Sequence, residues 1–128
     1  MDLGLRGKVA LVTGASKGLG LAMAQELARE GAHVSLCARG REALEPAAAR
    51  LQGLGGKVLA TPADVTRAGD AERVVAATLE ALGRIDVLVN NAGEVWVGHT
   101  LETTDEEWRR FSPFRAPWRS SWPRTRSA

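Results

Sequence analysis

The sequence has no tyrosine, one cysteine and two histidines among 128 residues. Without tyrosine, no phenol is available to give or take a proton. The lone Cys37 excludes a disulfide framework within the chain and cannot by itself assemble a zinc site. No apolar run approaches the ~18 residues of a membrane span, and Met1-Asp2 opens no signal peptide. The expected setting is therefore reducing and cytoplasmic, without a membrane partner.

A second scarcity is regional. Residues 111–128 contain no Val, Leu, Ile or Gly, yet they hold three of the five prolines and two of the four tryptophans. They also carry four arginines (Arg115, Arg119, Arg124, Arg126) and no acid, whereas residues 1–110 carry the other 13 of 17 Lys/Arg and all 15 Asp/Glu. The net charge of +2 thus divides into −2 for the body and +4 for the tail. Any nucleic-acid or acidic partner would have to be argued from the tail alone, and nucleic acid is not the expected partner of the body.

What remains, residues 1–110, has the composition of one soluble domain. Val9–Thr13 is a short apolar run closed by Gly14 and reads as a buried strand. From Gly18 to Glu30 apolar residues recur at helical spacing, and Gly31 supplies a C-terminal cap. Strands are predicted at 33–37, 57–61 and 85–89, and helices at 42–54 and 69–82, the last ending at Gly83. Thr104-Asp105-Glu106-Glu107 is a capping box that should open a fourth helix. Pro113, Pro117 and Pro123 forbid a regular helix beyond about Ser112. Strands alternating with helices imply right-handed crossovers and a parallel sheet covered on both faces.

The first strand runs into Thr13-Gly14-Ala15-Ser16-Lys17-Gly18-Leu19-Gly20, and a helix follows at once. Such a turn presents backbone N–H groups and a helix N-terminus to an anion, and its glycines let the backbone approach a pyrophosphate. The tight-turn explanation of the same glycines stands beside that one. His33, His99 and Cys37 are read as structural residues with no catalytic part.

The Gly-x-x-x-Gly-x-Gly spacing, together with Asn90-Asn91-Ala92-Gly93 at the end of the fourth strand, resembles the short-chain dehydrogenase/reductase family. Asp64-Val65 and Thr104-Asp105-Glu106-Glu107-Trp108 resemble two further stretches of that family, and the likeness covers residues 5 to about 110. The resemblance implies a truncated Rossmann-like, doubly wound parallel α/β sheet with four strands in the order 3-2-1-4, followed by an irregular C-terminal tail. It implies a dinucleotide cofactor. Gly14, Gly18 and Gly20 would line its pyrophosphate, and Ser16 would reach a phosphate or ribose oxygen. Lys17 and Leu19 belong to the same cofactor-binding loop, and Asp64 and Val65 would meet its adenine. Asn91, Ala92 and Gly93 would lie near a ribose, while Asn90 would tie strands together. At the end of the second strand stands Ala38-Arg39, where a carboxylate would repel a 2′-phosphate. With Lys17 as a second cation, that favours NADP(H) over NAD(H).

Members of this family reduce carbonyls or oxidise alcohols, and the likeness is equally good to acyl-carrier-protein ketoreductases and to small-alcohol dehydrogenases. Their tyrosine, lysine, serine and helix asparagine have no counterpart here, and the asparagine position falls on Arg115. The expectation is an NADP(H)-dependent oxidoreductase by descent that is inactive alone. Two other readings stay open: a non-catalytic nucleotide-binding module, and an Arg/Trp tail that binds RNA or an acidic protein. Residues 1–110 are taken as a dinucleotide-binding half-domain and 111–128 as an aberrant tail. Phe111-Ser112-Pro113-Phe114, read one base earlier, can encode Val-Leu-Ala-Val, so the tail is expected to be a frameshift product. Homo-oligomer formation through the fourth-strand edge or the tail is also expected.

Overall fold

The computed structural model describes residues 2–91 and Thr104. The half-domain's last residues, the fourth helix, Ala92, Gly93 and the tail lie outside the described residues. Within them seven elements alternate. Strand β1 is Val9–Thr13, helix α1 Gly18–Arg29, β2 His33–Ala38 and α2 Arg41–Leu51. They are followed by β3 Val58–Pro62, α3 Ala68–Leu82 and β4 Val87–Val89. The strands form one parallel sheet in the order β3-β2-β1-β4, as the family resemblance implies. Leu11 of β1 stands opposite Ser35 on one side and Leu88 on the other.

Strand alternation sends successive side chains to opposite faces, and the two faces of this sheet carry separate cores. Val12, Val34 and Leu36 pack with Leu21, Ala24 and Ala28 of α1 and with Leu44, Ala47 and Leu51 of α2. Leu11 and Cys37 pack on the other face with Ala71, Val74 and Val75 of α3 and with Ile85. Two helices on one face and one on the other explain why β1 is buried at all five positions rather than alternately. The α3 face holds a buried polar contact. Thr78 donates from Oγ1 to the Val74 carbonyl at 2.7 Å and accepts from Ser35 Oγ at 2.7 Å.

Helix α1 ends in a two-bond cap. Gly31 adopts φ +87° and donates to the Ala28 carbonyl at 3.0 Å, while Ala32 donates to Leu27 at 3.1 Å. His33 has the structural part expected of it, since its Nδ1 accepts the Lys57 N–H at 2.9 Å and sets the start of the third strand's neighbourhood.

Several boundaries differ from the sequence prediction. Helix α2 stops at Leu51 rather than Leu54, because Gln52 is already extended and Gly53 turns at φ +83°. It also runs through Pro46, which forgoes the N–H that would reach the Glu42 carbonyl. Strand β3 is shifted by one residue to end on Pro62, tolerable in a strand that has one paired neighbour among the described residues. Strand β4 begins at Val87 rather than Ile85, whose side chain is given to the α3-side core.

Candidate functional site

The C-terminal ends of all four parallel strands point to one edge of the sheet, so Gly14, Arg39, Asp64 and Asn91 come to the same side. Links between the loops hold them together there. Ala15 donates to the Cys37 carbonyl at 3.2 Å, and Ala63 donates to the Ala38 carbonyl at 2.9 Å. The glycine loop, the Arg39 turn and the Asp64 loop are thereby fixed relative to one another.

The glycine loop enters α1 through Lys17, an extended N-cap residue whose side chain makes no capping hydrogen bond. The N–H groups of the first turn therefore carry no side-chain acceptor, which suits them to an anion. Gly14 and Gly18 have φ of +62° and +58°, a backbone region that glycine enters freely. Gly20 is required for a different reason. A Cβ there would stand 2.6 Å from Asn91 Nδ2 and closer still to the Gly14 carbonyl oxygen, nearer than real Cβ contacts come. Ser16 is half-buried, Lys17 and Gly18 are exposed, and Leu19 is 68% exposed at the mouth of the loop.

Asn91 closes the other side. Its Nδ2 donates to the Gly14 carbonyl at 3.3 Å, and its N–H donates to Thr13 Oγ1 at 3.0 Å. The Thr13 hydroxyl in turn donates to the Val89 carbonyl at 3.3 Å. Asn91 thus links the ends of β1 and β4, and its neighbour Asn90, expected to tie strands together, is exposed.

Asp64 and Val65 lie in the turn between β3 and α3. Asp64 Oδ1 accepts both the N–H of Thr66 at 3.0 Å and its hydroxyl at 2.6 Å. The Thr66 hydroxyl bond lowers the Asp64 pKa. Partial burial works against it, and the Thr66 N–H, Arg67 and Arg39 add to the lowering. The carboxyl is thus held as an anion and in one orientation, and Val65 next to it in the chain is buried in the α3-side core. Arg39 is exposed at the end of β2, near enough for its charge to act on Asp64. What the sequence did not disclose is how the Asp64 turn is braced. Asp70 Oδ2 accepts the Asp64 N–H at 2.8 Å, and Arg73 donates to the Pro62 carbonyl at 2.8 Å.

Among the described residues no cluster of His, Cys, Asp and Glu could hold a metal ion, and no helix is long and apolar enough to cross a membrane. Burial pushes the Cys37 thiol up to about 12, which leaves it inert at the foot of the site.

Comparison with known proteins places this geometry. The short chain dehydrogenase family model matches residues 8–113. Glycine betaine reductase ATRR of Emericella nidulans is 47% identical over 106 residues, which is 83% of this chain and 8% of that protein. L-sorbose reductase from Gluconobacter frateurii, solved with NADPH and L-sorbose, superimposes with a TM-score of 0.80 at 42% identity, covering 85% of this chain and 42% of its own. A NAD+-bound xylitol dehydrogenase superimposes with a TM-score of 0.76 at 35% identity, covering 84% and 42%. The chain spans less than half the length of each of these three proteins.

Proposed function

Because the chain belongs to the short-chain dehydrogenase family, we propose that its body holds the adenosine and pyrophosphate end of a nicotinamide dinucleotide, with NADP(H) favoured over NAD(H). The observation that carries this reading is the meeting of Gly14, Gly20 and Asn91. There the backbone leaves no room for a Cβ beside an uncapped helix N-terminus. The fit is good: the cradle is bare backbone where a pyrophosphate would lie, and Asp64 presents an anionic acceptor.

Gly14, Ser16, Gly18, Leu19 and Gly20 would hold the pyrophosphate, and Asp64 would accept from the adenine amino group with Val65 beside the ring. Asn91, Ala92 and Gly93 would flank the ribose. Arg39 and Lys17 would receive a 2′-phosphate. The fold itself accommodates both cofactors, since one solved neighbour carries NADPH and another NAD+. The choice therefore rests on the cation at the end of β2.

When bound, the dinucleotide supplies a hydride for the interconversion of alcohol and carbonyl. This chain's own residues bind and orient it, but none provides the phenol that moves the proton in the family, because the sequence has no tyrosine. The chain by itself is therefore proposed to bind a dinucleotide without turning over a substrate, in the cytoplasm. Calorimetric titration with NADPH and NADH tests the reading. NADPH should bind more tightly, and Arg39→Asp should reverse the order by about tenfold or more, as a charge-assisted contact becomes a repulsion. Equal binding of both, or indifference to Arg39→Asp, overturns the 2′-phosphate assignment. Reproducible NADPH-dependent turnover of a carbonyl by clean protein overturns the inactivity.

A further inference from the structure

Asp70 is the third residue of α3, where an acidic side chain ordinarily serves the helix's own first turn. Here it also reaches beyond its helix. Its Oδ2 reaches back six residues to the N–H of Asp64 at 2.8 Å, and its Oδ1 lies 3.5 Å from Arg73 Nη2. The same Nη2 donates to the Pro62 carbonyl at 2.8 Å. One carboxylate and one guanidinium thus hold the turn on both sides of Ala63. Ala63 is itself bonded to Ala38, and Arg67 donates to the Asp64 carbonyl at 3.0 Å. The side chain of Asp64 is oriented separately, by Thr66.

We propose that Asp70 and Arg73 are positioning residues for base recognition: they hold the Asp64 backbone so that its carboxylate meets the amino group of an adenine. The inference rests on the dinucleotide reading above. It adds that the discrimination of the base, rather than the grip on the phosphates, is set from the first turns of α3. Neither residue touches the cradle of Gly14 and Gly20, which α1 and Asn91 build without them.

The test compares NADPH with reduced nicotinamide hypoxanthine dinucleotide phosphate, which carries an oxygen in place of the adenine amino group. Titrations of the full chain should show wild type preferring NADPH by about tenfold, the size of one hydrogen bond to a charged acceptor. Asp70→Ala should reduce that preference to about twofold or less. The preference for NADPH over NADH, governed by Arg39, should remain. Asp70→Asn, which keeps an oxygen for the Asp64 N–H, should restore most of the base preference. Arg73→Ala, at an exposed side chain, should lower it too, and it supplies the measurement should Asp70→Ala fail to fold. Asp70→Ala and Arg73→Ala proteins that keep the wild-type preference overturn the clamp alone. So do variants that weaken both ligands equally, which marks a merely structural part. Wild type that binds neither ligand overturns the dinucleotide reading and the clamp with it.

Discussion

Asp86 and Val9 are bonded to each other twice across the sheet. The Val9 N–H donates to Asp86 Oδ2 at 2.9 Å, and the Asp86 N–H donates to the Val9 carbonyl at 2.8 Å. The other carboxylate oxygen, Oδ1, takes Arg84 Nε at 3.0 Å. Val9 is fully buried, so its N–H has no water to turn to.

Asp86→Ala should therefore destabilise the fold by about 2 kcal/mol, the cost of leaving a buried donor unmade. The carboxyl should also give the stability a pH dependence. Burial pulls its pKa up, but the Arg84 bond, the Val9 N–H and the nearby Arg84 and Lys8 charges outweigh it, so the net shift is downward from 3.8. A lowered folded pKa means the contribution is fully present above that ordinary value and is lost as pH falls through the lower, folded one. Urea midpoints recorded down through the acid range should fall more steeply for wild type than for Asp86→Ala. Parallel curves would show that Asp86 carries no such linkage.

The Ser35–Thr78 pair should behave as a unit. Thr78 already donates to Val74, so the Ser35 hydroxyl must be the donor between them. Thr78→Val leaves that hydroxyl buried and unmade, for about 1–3 kcal/mol. Ser35→Ala removes only the donor and should cost less. The double variant should be more stable than Thr78→Val alone, the signature of coupling that denaturant titration reads directly.

Gly20→Ala should damage binding and folding together. A methyl against Gly14 and Asn91 forces α1 away from the strand ends, at about 1–3 kcal/mol. Gly18→Ala meets open space and bears only the cost of its left-handed φ, about 1–2 kcal/mol. Dinucleotide titration should rank Gly20→Ala as the worse in binding, since it alone disturbs Asn91.

Cys37 should be silent to thiol reagents in the native protein. It is fully buried and its thiol stays protonated to about pH 12. Labelling with an aromatic disulfide should be absent under native conditions and complete in denaturant. Rapid labelling of folded protein would mean that the β2 end opens readily.

Parallel pairing and the two covered faces of the sheet were legible because continuous apolar strands alternate with amphipathic helices, whereas the strand order was legible only through the family resemblance. Gly14, Gly18 and Gly20 were legible for the same reason that they are structural, since each stands at a turn or contact that a side chain would spoil. Asn90 and Asn91 were not separable. They are neighbours, one exposed and the other half-buried, and nothing in their order says which one meets Thr13. The Asp70 and Arg73 brace was also hidden. Its bonds run from side chains to backbone groups six and eleven residues away in a turn whose path the sequence does not draw. Pro46 does not interrupt the helix expected there, because Leu44, Ala47 and Leu51 of α2 are held by packing on the sheet.

The central place of β1 also has a temporal meaning. Val9 finds His33 only 24 residues along the chain, but Asp86 is 77 residues away. Closing the longer loop costs about 1 kcal/mol more in chain entropy. During synthesis β1 can therefore settle against β2 early, while its opposite edge waits for almost the whole described chain to emerge. Until Asp86 arrives, the Val9 N–H has no carboxylate, Gly20 has no Asn91 above it, and the phosphate cradle has only one wall.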